Sequence, residues 1–159
     1  MRVEKQVTIR AGPEAVWAFL WDVERLAGCI PGCREARTVE PKRRYAARVE
    51  ERIGPFKAAF PLDIEVLEAE APRRLAARAS GRDSALASAV KVELRVELAG
   101  RDGGETELHL AADVSVLGKL GTLGHGAIVR RADEIVAQFA EAIRQRLERP
   151  EGPGRGAAC

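Results

Sequence analysis

From residue 34 to residue 117 apolar side chains recur at every second position, and beyond residue 118 they recur at every third or fourth. A period of two marks strands with one buried face, and a period near 3.6 marks an amphipathic helix. Phe56, Ala58, Phe60, Leu62, Ile64 and Val66 fall on one side, with Lys57, Asp63 and Glu65 on the other. Val90, Val92, Leu94, Val96 and Leu98 alternate with Lys91, Glu93, Arg95 and Glu97. Leu108, Leu110, Ala112, Val114 and Val116 alternate with Glu107, His109 and Asp113 in the same way. Turn residues at Pro41-Lys42, Gly54-Pro55, Ala71-Pro72, Asp83-Ser84 and 101–104 divide the region into six strands. These span 34–40, 43–53, 56–70, 73–82, 86–99 and 105–117, the spacing of an antiparallel meander.

A seventh strand is expected over 2–10, where Val3, Val7 and Ile9 share a side, and Gly12-Pro13 stops it. Pro13 suits the first turn of a helix whose apolar face is Val16, Trp17, Phe19 and Leu20. Asp22 can cap a second short helix over 23–29, ended by Pro31-Gly32. After Gly118, Ile128, Ala132, Ile135, Val136, Phe139, Ile143 and Leu147 form a stripe opposite Arg130, Arg131, Glu134, Glu141 and Arg144. That predicts a helix of about 25 residues, about 38 Å long, enough to cross the concave face of a curved sheet. The fold class is α+β: a seven-stranded antiparallel sheet wrapped around a long C-terminal helix, with two short helices after the first strand. One domain is expected over 1–148, and the Gly- and Pro-rich 149–159 is expected to be a disordered tail.

The 159 residues, 46% hydrophobic and 31% charged, suit one domain with a sizeable core. A formal net charge of +2 gives no electrostatic case for nucleic acid. The amino terminus holds no apolar stretch of signal-peptide length, so the expected location is the cytoplasm. Cys29, Cys33 and Cys159 are an odd number in a chain read that way, and reduced thiols are expected.

The order of elements resembles the helix-grip fold of pollen-allergen, lipid-transfer and polyketide-cyclase families. The resemblance narrows at three stretches: 16–33 (VWAFLWDVERLAGCIPGC), Ile53-Gly-Pro-Phe56, and 116–124 (VLGKLGTLG). Together these resemble the G-subunit family of carbon monoxide dehydrogenase over residues 2–147. The resemblance implies a non-catalytic accessory role beside carbon monoxide dehydrogenase or another molybdenum hydroxylase, and describes such members as membrane-associated or quinone-binding. Expected partners are therefore a hydrophobic small molecule (quinone or lipid), the hydroxylase subunits and, peripherally, the inner face of the membrane. No cofactor, metal or catalytic residue is expected.

A sheet gripping a helix leaves a space whose filling depends on side-chain size. Ala47, Ala58, Ala77, Ala79 and Ala112 fall on the inward register, and there are four Phe, two Trp and one Tyr to fill the volume. We expect an apolar cavity lined by Tyr45, Val49, Phe56, Phe60, Ala77, Leu94, Leu110 and Val114. Ile128 and Phe139 contribute from the helix. Leu120 and Leu123, with Leu117, are expected as an apolar flap at its mouth. Two other readings stand beside it. A cyclase or aromatase predicts a polar cavity with an inward acid or base, for which Glu51 and Tyr45 are the candidates. A ligand-free anchoring module predicts a filled core and an exposed flap.

Other motifs point nowhere specific. The glycine-rich 118–126 puts its lysine first, the wrong order for a nucleotide loop. Cys29, Cys33, His109 and His125 are zinc-type ligands at poor spacing. Arg34, Arg37, Lys42, Arg43, Arg44, Arg48 and Arg52 make a basic hairpin that reads as a solvated face with cross-strand ion pairs.

Overall fold

A computed structural model describes residues 1–148; the tail expected over 149–159 lies outside the described residues. The elements run β1 (Arg2–Ile9), α1 (Pro13–Leu20), α2 (Val23–Ala27), β2 (Cys33–Glu40), β3 (Arg44–Ile53), β4 (Phe56–Glu70), β5 (Arg74–Asp83), β6 (Ser88–Arg101) and β7 (Glu105–Gly118). A 3₁₀ turn (Lys119–Leu123) then leads into α3 (His125–Glu148). All seven strands form one sheet in the order β1-β7-β6-β5-β4-β3-β2, every pair antiparallel. Each expected strand is present to within two residues at its ends.

The differences at element ends have local causes. β6 begins at Ser88 because Asp83 closes a turn, its Oδ1 accepting from Leu86 N–H at 3.1 Å and its Oδ2 from Ala59 N–H at 2.8 Å. α2 stops at Ala27, not at Cys29, with Gly28 as its C-cap and Asp22 accepting from Arg25 N–H at 3.4 Å at the start. The 3₁₀ turn takes the first residues after β7, so α3 is 24 residues long. Gly118 (φ +87°) makes that turn because a Cβ there would overlap the carbonyl oxygen of Ala87.

Two separate apolar clusters hold the inner face. The larger joins Val3, Ile9, Val96, Leu98, Leu108, Leu110 and Ala112 of the sheet to Val16, Phe19 and Leu20 of α1 and to Val136, Ala140 and Ile143 of α3. Ala58, Phe60 and Leu120 form the smaller, edged by Ile53, Phe56, Leu62, Leu86, Val90, Val116 and Leu123. The long helix therefore differs from the expectation in one respect: it lies along β1 and β7 and does not cross the middle of the sheet. Val3, Ile9, Leu108 and Leu110 give it bulk to pack on, whereas the inner positions of β3 and β5 include the small residues Ala47, Ala77, Ala79 and Gly81. Among the described residues no helix is long and apolar enough to cross a membrane.

Candidate functional site

Strand register decides which side chains share the inner face. Tyr45 pairs with Ile64, Ile64 with Ala79 and Ala79 with Val92, giving one row across four strands. Val66, Ala77 and Leu94 form the next row, and Val49 pairs with Phe60 on the other side. Tyr45, Ala47, Val49, Ile64, Val66, Ala77 and Ala79 are all half-buried and belong to neither apolar cluster. They form an apolar floor between the two clusters, and α3 leaves it half-exposed.

The positions singled out in the sequence fall into three groups around that floor. Tyr45, Val49 and Ala77 lie on it. Leu94, Val114 and Phe139 are half-buried at the margin of the larger cluster, and Leu110 is sealed inside it. Phe56 and Leu123 edge the smaller cluster, in which Phe60 and Leu120 are buried. Ile128 is buried on α3 outside both. The expected flap separates: Leu120 is a core residue at 1% exposure, while Leu117 points to the outer face at 67%. Alternation explains the split, since Val116 faces inward and its neighbour must face out.

The mouth is built by contacts between distant segments. Ser88 Oγ donates to the Leu86 carbonyl and accepts from Leu120 N–H, both at 2.9 Å, which fixes the 3₁₀ turn to the β5–β6 turn. A methyl group at Gly54 (φ +58°) would come within 3.2 Å of Leu123 Cδ2, so the tip of the β3–β4 hairpin lies against that turn. Lys119 Nζ sits 5.6 Å from the centre of the Phe56 ring. At the other end of β3 the Tyr45 hydroxyl accepts from Lys42 N–H at 2.7 Å, fixing the ring at the edge of the floor.

Glu51 faces inward, as the alternation predicts, and pairs with Arg131 of α3. Arg131 corrects the sequence reading, which put it on the solvent side of the helix. Ile128 and Ile135, three residues before and four after it, are apolar neighbours that signal an inward position. Arg131 Nη1 also pairs with Glu134 at 3.1 Å. Glu51 is thus an inward carboxylate already committed to a cation.

Other candidates take structural places. Cys29 is buried and Cys33 half-buried, and burial pushes both thiols above the ordinary value. His109 lies on the outer face, 3.0 Å from Glu4 and 3.8 Å from Glu97. Among the described residues no three His, Cys, Asp or Glu side chains converge as metal ligands. The basic hairpin carries ion pairs from Arg34 and Arg48 to Glu50 (3.6 and 3.1 Å), from Arg44 to Glu65 (3.1 Å) and from Arg43 to Glu40 (3.6 Å). An open groove of about 900 Å³ crosses the outer face over Ala46, Pro61, Ser80, Ala89 and Ser115, unanticipated from sequence. Its lining carries the cations Arg37, Arg48, Arg82 and Lys91 beside the carboxylates Glu35 and Asp63, so both signs are present with cations in excess.

The family profile of CoxG, the G-subunit of carbon monoxide dehydrogenase, matches residues 6–148. No curated protein is significantly similar in sequence. A conserved protein of Geobacillus kaustophilus has a similar structure, with TM-score 0.83 and 21% identity over 92% of this chain and 95% of that one. A START superfamily protein of Mycobacterium smegmatis superposes with TM-score 0.72 and 17% identity, covering 92% and 97%. The Zhui aromatase/cyclase of Streptomyces sp. R1128 gives TM-score 0.62 and 18% identity, covering 91% and 94%. At these identities the likeness is one of fold.

Proposed function

The chain belongs to the CoxG family of carbon monoxide dehydrogenase, and from that premise we propose that it is a non-catalytic accessory protein holding an apolar small molecule, a quinone or a lipid. The observation that carries this reading is the half-exposed apolar floor between the two clusters. Recessed apolar surface with a few polar groups at its edge is the usual form of a small-molecule site. Burial is the driving force: a prenyl tail hiding about 400 Å² gains about 10 kcal/mol before the costs of ordering.

The molecule is held in service of carbon monoxide dehydrogenase or a related molybdenum hydroxylase, with membrane contact limited to the protein's periphery. A cyclase or aromatase would need an inward acid or base able to exchange protons with its substrate. The inward carboxylate, Glu51, is occupied by Arg131, which favours binding over turnover.

Organic extraction of the purified protein, with mass spectrometry against a mock purification, tests the proposal. A stoichiometric isoprenoid or acyl species is expected. An empty result, repeated after quinones and lipids are offered in detergent, overturns it in favour of a ligand-free anchoring module.

A further inference from the structure

We propose that the open groove on the outer face of the sheet docks an acidic, extended segment of a partner protein. The groove lies on the opposite side of the sheet from the apolar floor and does not rest on a ligand being held there.

Outward charge on this sheet is arranged in rows set by strand register. In one row Arg44 pairs with Glu65, Glu65 with Arg78 and Arg78 with Glu93, so the signs alternate from strand to strand. Such a row neutralises itself, with ion pairs of 3.1 Å from Arg44 to Glu65 and 3.8 Å from Arg78 to Glu93. The next outward row reads Arg37, Ala46, Asp63, Ser80, Lys91 and Ser115 from β2 to β7. Here a small residue separates each cation from the carboxylate, a gap of two strands or about 10 Å, too far for an ion pair. The row beyond it places Arg48 between Glu35 and Pro61, and Arg82 opposite Ala89, which pairs in turn with Leu117. Farther toward the tip of the β3–β4 hairpin, Arg52 stands directly opposite Lys57, a like-charged pair that costs stability unless an anion meets it. Arg37, Arg52, Lys57, Arg82 and Lys91 have no ion pair among the described residues.

The two middle rows line the groove. Four cations, Arg37, Arg48, Arg82 and Lys91, face two carboxylates, Glu35 and Asp63, around a volume of about 900 Å³. Of the four, Arg48 is already engaged, with Glu50 at 3.1 Å. The floor between them is made of small side chains, Ala46, Pro61, Ser80, Ala89 and Ser115, and Leu117 stands at one end, 67% exposed.

Shape and charge select the occupant. The formal net charge of the chain is +2, so a long polyanion such as nucleic acid finds no extended basic field beyond the groove. A lipid surface is a plane and meets the rim but not the floor. From β2 to β7 the groove crosses six strands, about 24 Å at a spacing of about 4.8 Å, the length of about seven residues of extended chain at about 3.3 Å each. Carboxylates on such a segment reach the cations of both rows while its backbone lies over the small floor, and an apolar residue at its end meets Leu117.

Fluorescence anisotropy of a labelled heptapeptide with blocked ends, LEEDEEL, titrated with the full chain, tests this. A leucine at each end lets either direction of binding bring one to Leu117, and the neutral LQQNQQL is the reference. At low ionic strength the acidic peptide is expected to bind more tightly by on the order of tenfold, and added salt to narrow the difference. Arg82→Gln and Lys91→Gln, both at exposed positions, are each expected to weaken the acidic peptide by about two- to fivefold at an unchanged melting temperature. Arg130→Gln removes the same charge from an exposed position on α3 and is expected to change nothing. Ser80→Tyr keeps every charge but fills the floor, and is expected to weaken the acidic peptide by on the order of tenfold. Should that variant not fold, the three glutamine variants decide. Equal affinity for the two peptides, or an equal loss at Arg130, overturns the docking site. Vesicles of phosphatidylglycerol in phosphatidylcholine are the second probe: co-sedimentation that depends on Arg82 and Lys91 but not on Ser80, with no binding of the acidic peptide, overturns a protein partner in favour of a lipid surface.

Discussion

The hydroxyl of Ser88, at the first position of β6, accepts a hydrogen bond from the backbone N–H of Leu120, thirty-two residues later, at 2.9 Å. Ser88 is 4% exposed and Leu120 1%, so neither group has water as an alternative partner. This bond holds the 3₁₀ turn, and with it the inner position of Leu120, against the end of the sheet.

Ser88→Ala leaves a buried N–H without an acceptor, and also frees the Leu86 carbonyl. The expected cost is about 1–3 kcal/mol in urea unfolding. Hydrogen exchange should accelerate most at Leu120 and its neighbours, since the rest of the sheet keeps its ladder. A uniform loss of protection with no focus on the 3₁₀ turn would contradict the anchoring role.

Two inward alanines should respond oppositely to enlargement. Ala112 is 2% exposed inside the larger cluster, and Ala112→Leu is expected to cost about 1–3 kcal/mol through overpacking. Ala77 lies on the floor outside both clusters. Ala77→Leu is expected to change stability by less than about 0.5 kcal/mol while weakening binding of the neutral apolar dye N-phenyl-1-naphthylamine. Parallel chemical denaturation and dye binding check both, and equal destabilisation by the two substitutions would mean the floor is as closely packed as the core.

Asp83 makes stability depend on acid. Hydrogen bonds from Ala59 N–H, then from the Leu86 and Ala85 amides, hold its carboxyl below the ordinary value of 3.8. A lowered folded value means that this stabilisation is fully present above the unfolded value and is lost as pH falls through the folded one. Asp83→Asn should therefore lower the melting temperature at pH 7, and the gap between variant and wild type should narrow below about pH 4. A gap that stays constant from pH 7 to pH 3 would show that the charge contributes nothing.

The thiols should be slow nucleophiles. Burial is the main cause pushing Cys29 and Cys33 up, and the thiolate is the reactive form. Iodoacetamide at pH 8, followed by peptide mapping, should leave Cys29 unmodified in the folded protein and modify it once urea is added. Cys33, half-buried, should react at an intermediate rate. Rapid native labelling of Cys29 would contradict its place in the core.

The strands, the short helices and the inward or outward side of nearly every sheet residue follow from the sequence, because alternation and turn residues are local properties. Glu51 shows how far this reaches: its parity with Tyr45 and Val49 puts it inside before any contact is known. Its partner does not follow in the same way. Arg131 stands among Arg130 and Glu134, and a 3.6-residue period allows either side when the apolar stripe is broad. The lateral seat of α3 was equally out of reach, because it depends on volumes summed over strands far apart in sequence. Val3, Leu108 and Leu110 fill the space on one side, while Ala47, Ala77 and Ala79 leave it open on the other. Local periodicity determined which residues face inward, and tertiary packing alone decided which of them are sealed in a core and which form the floor of a site, since close packing is a property of neighbours in space.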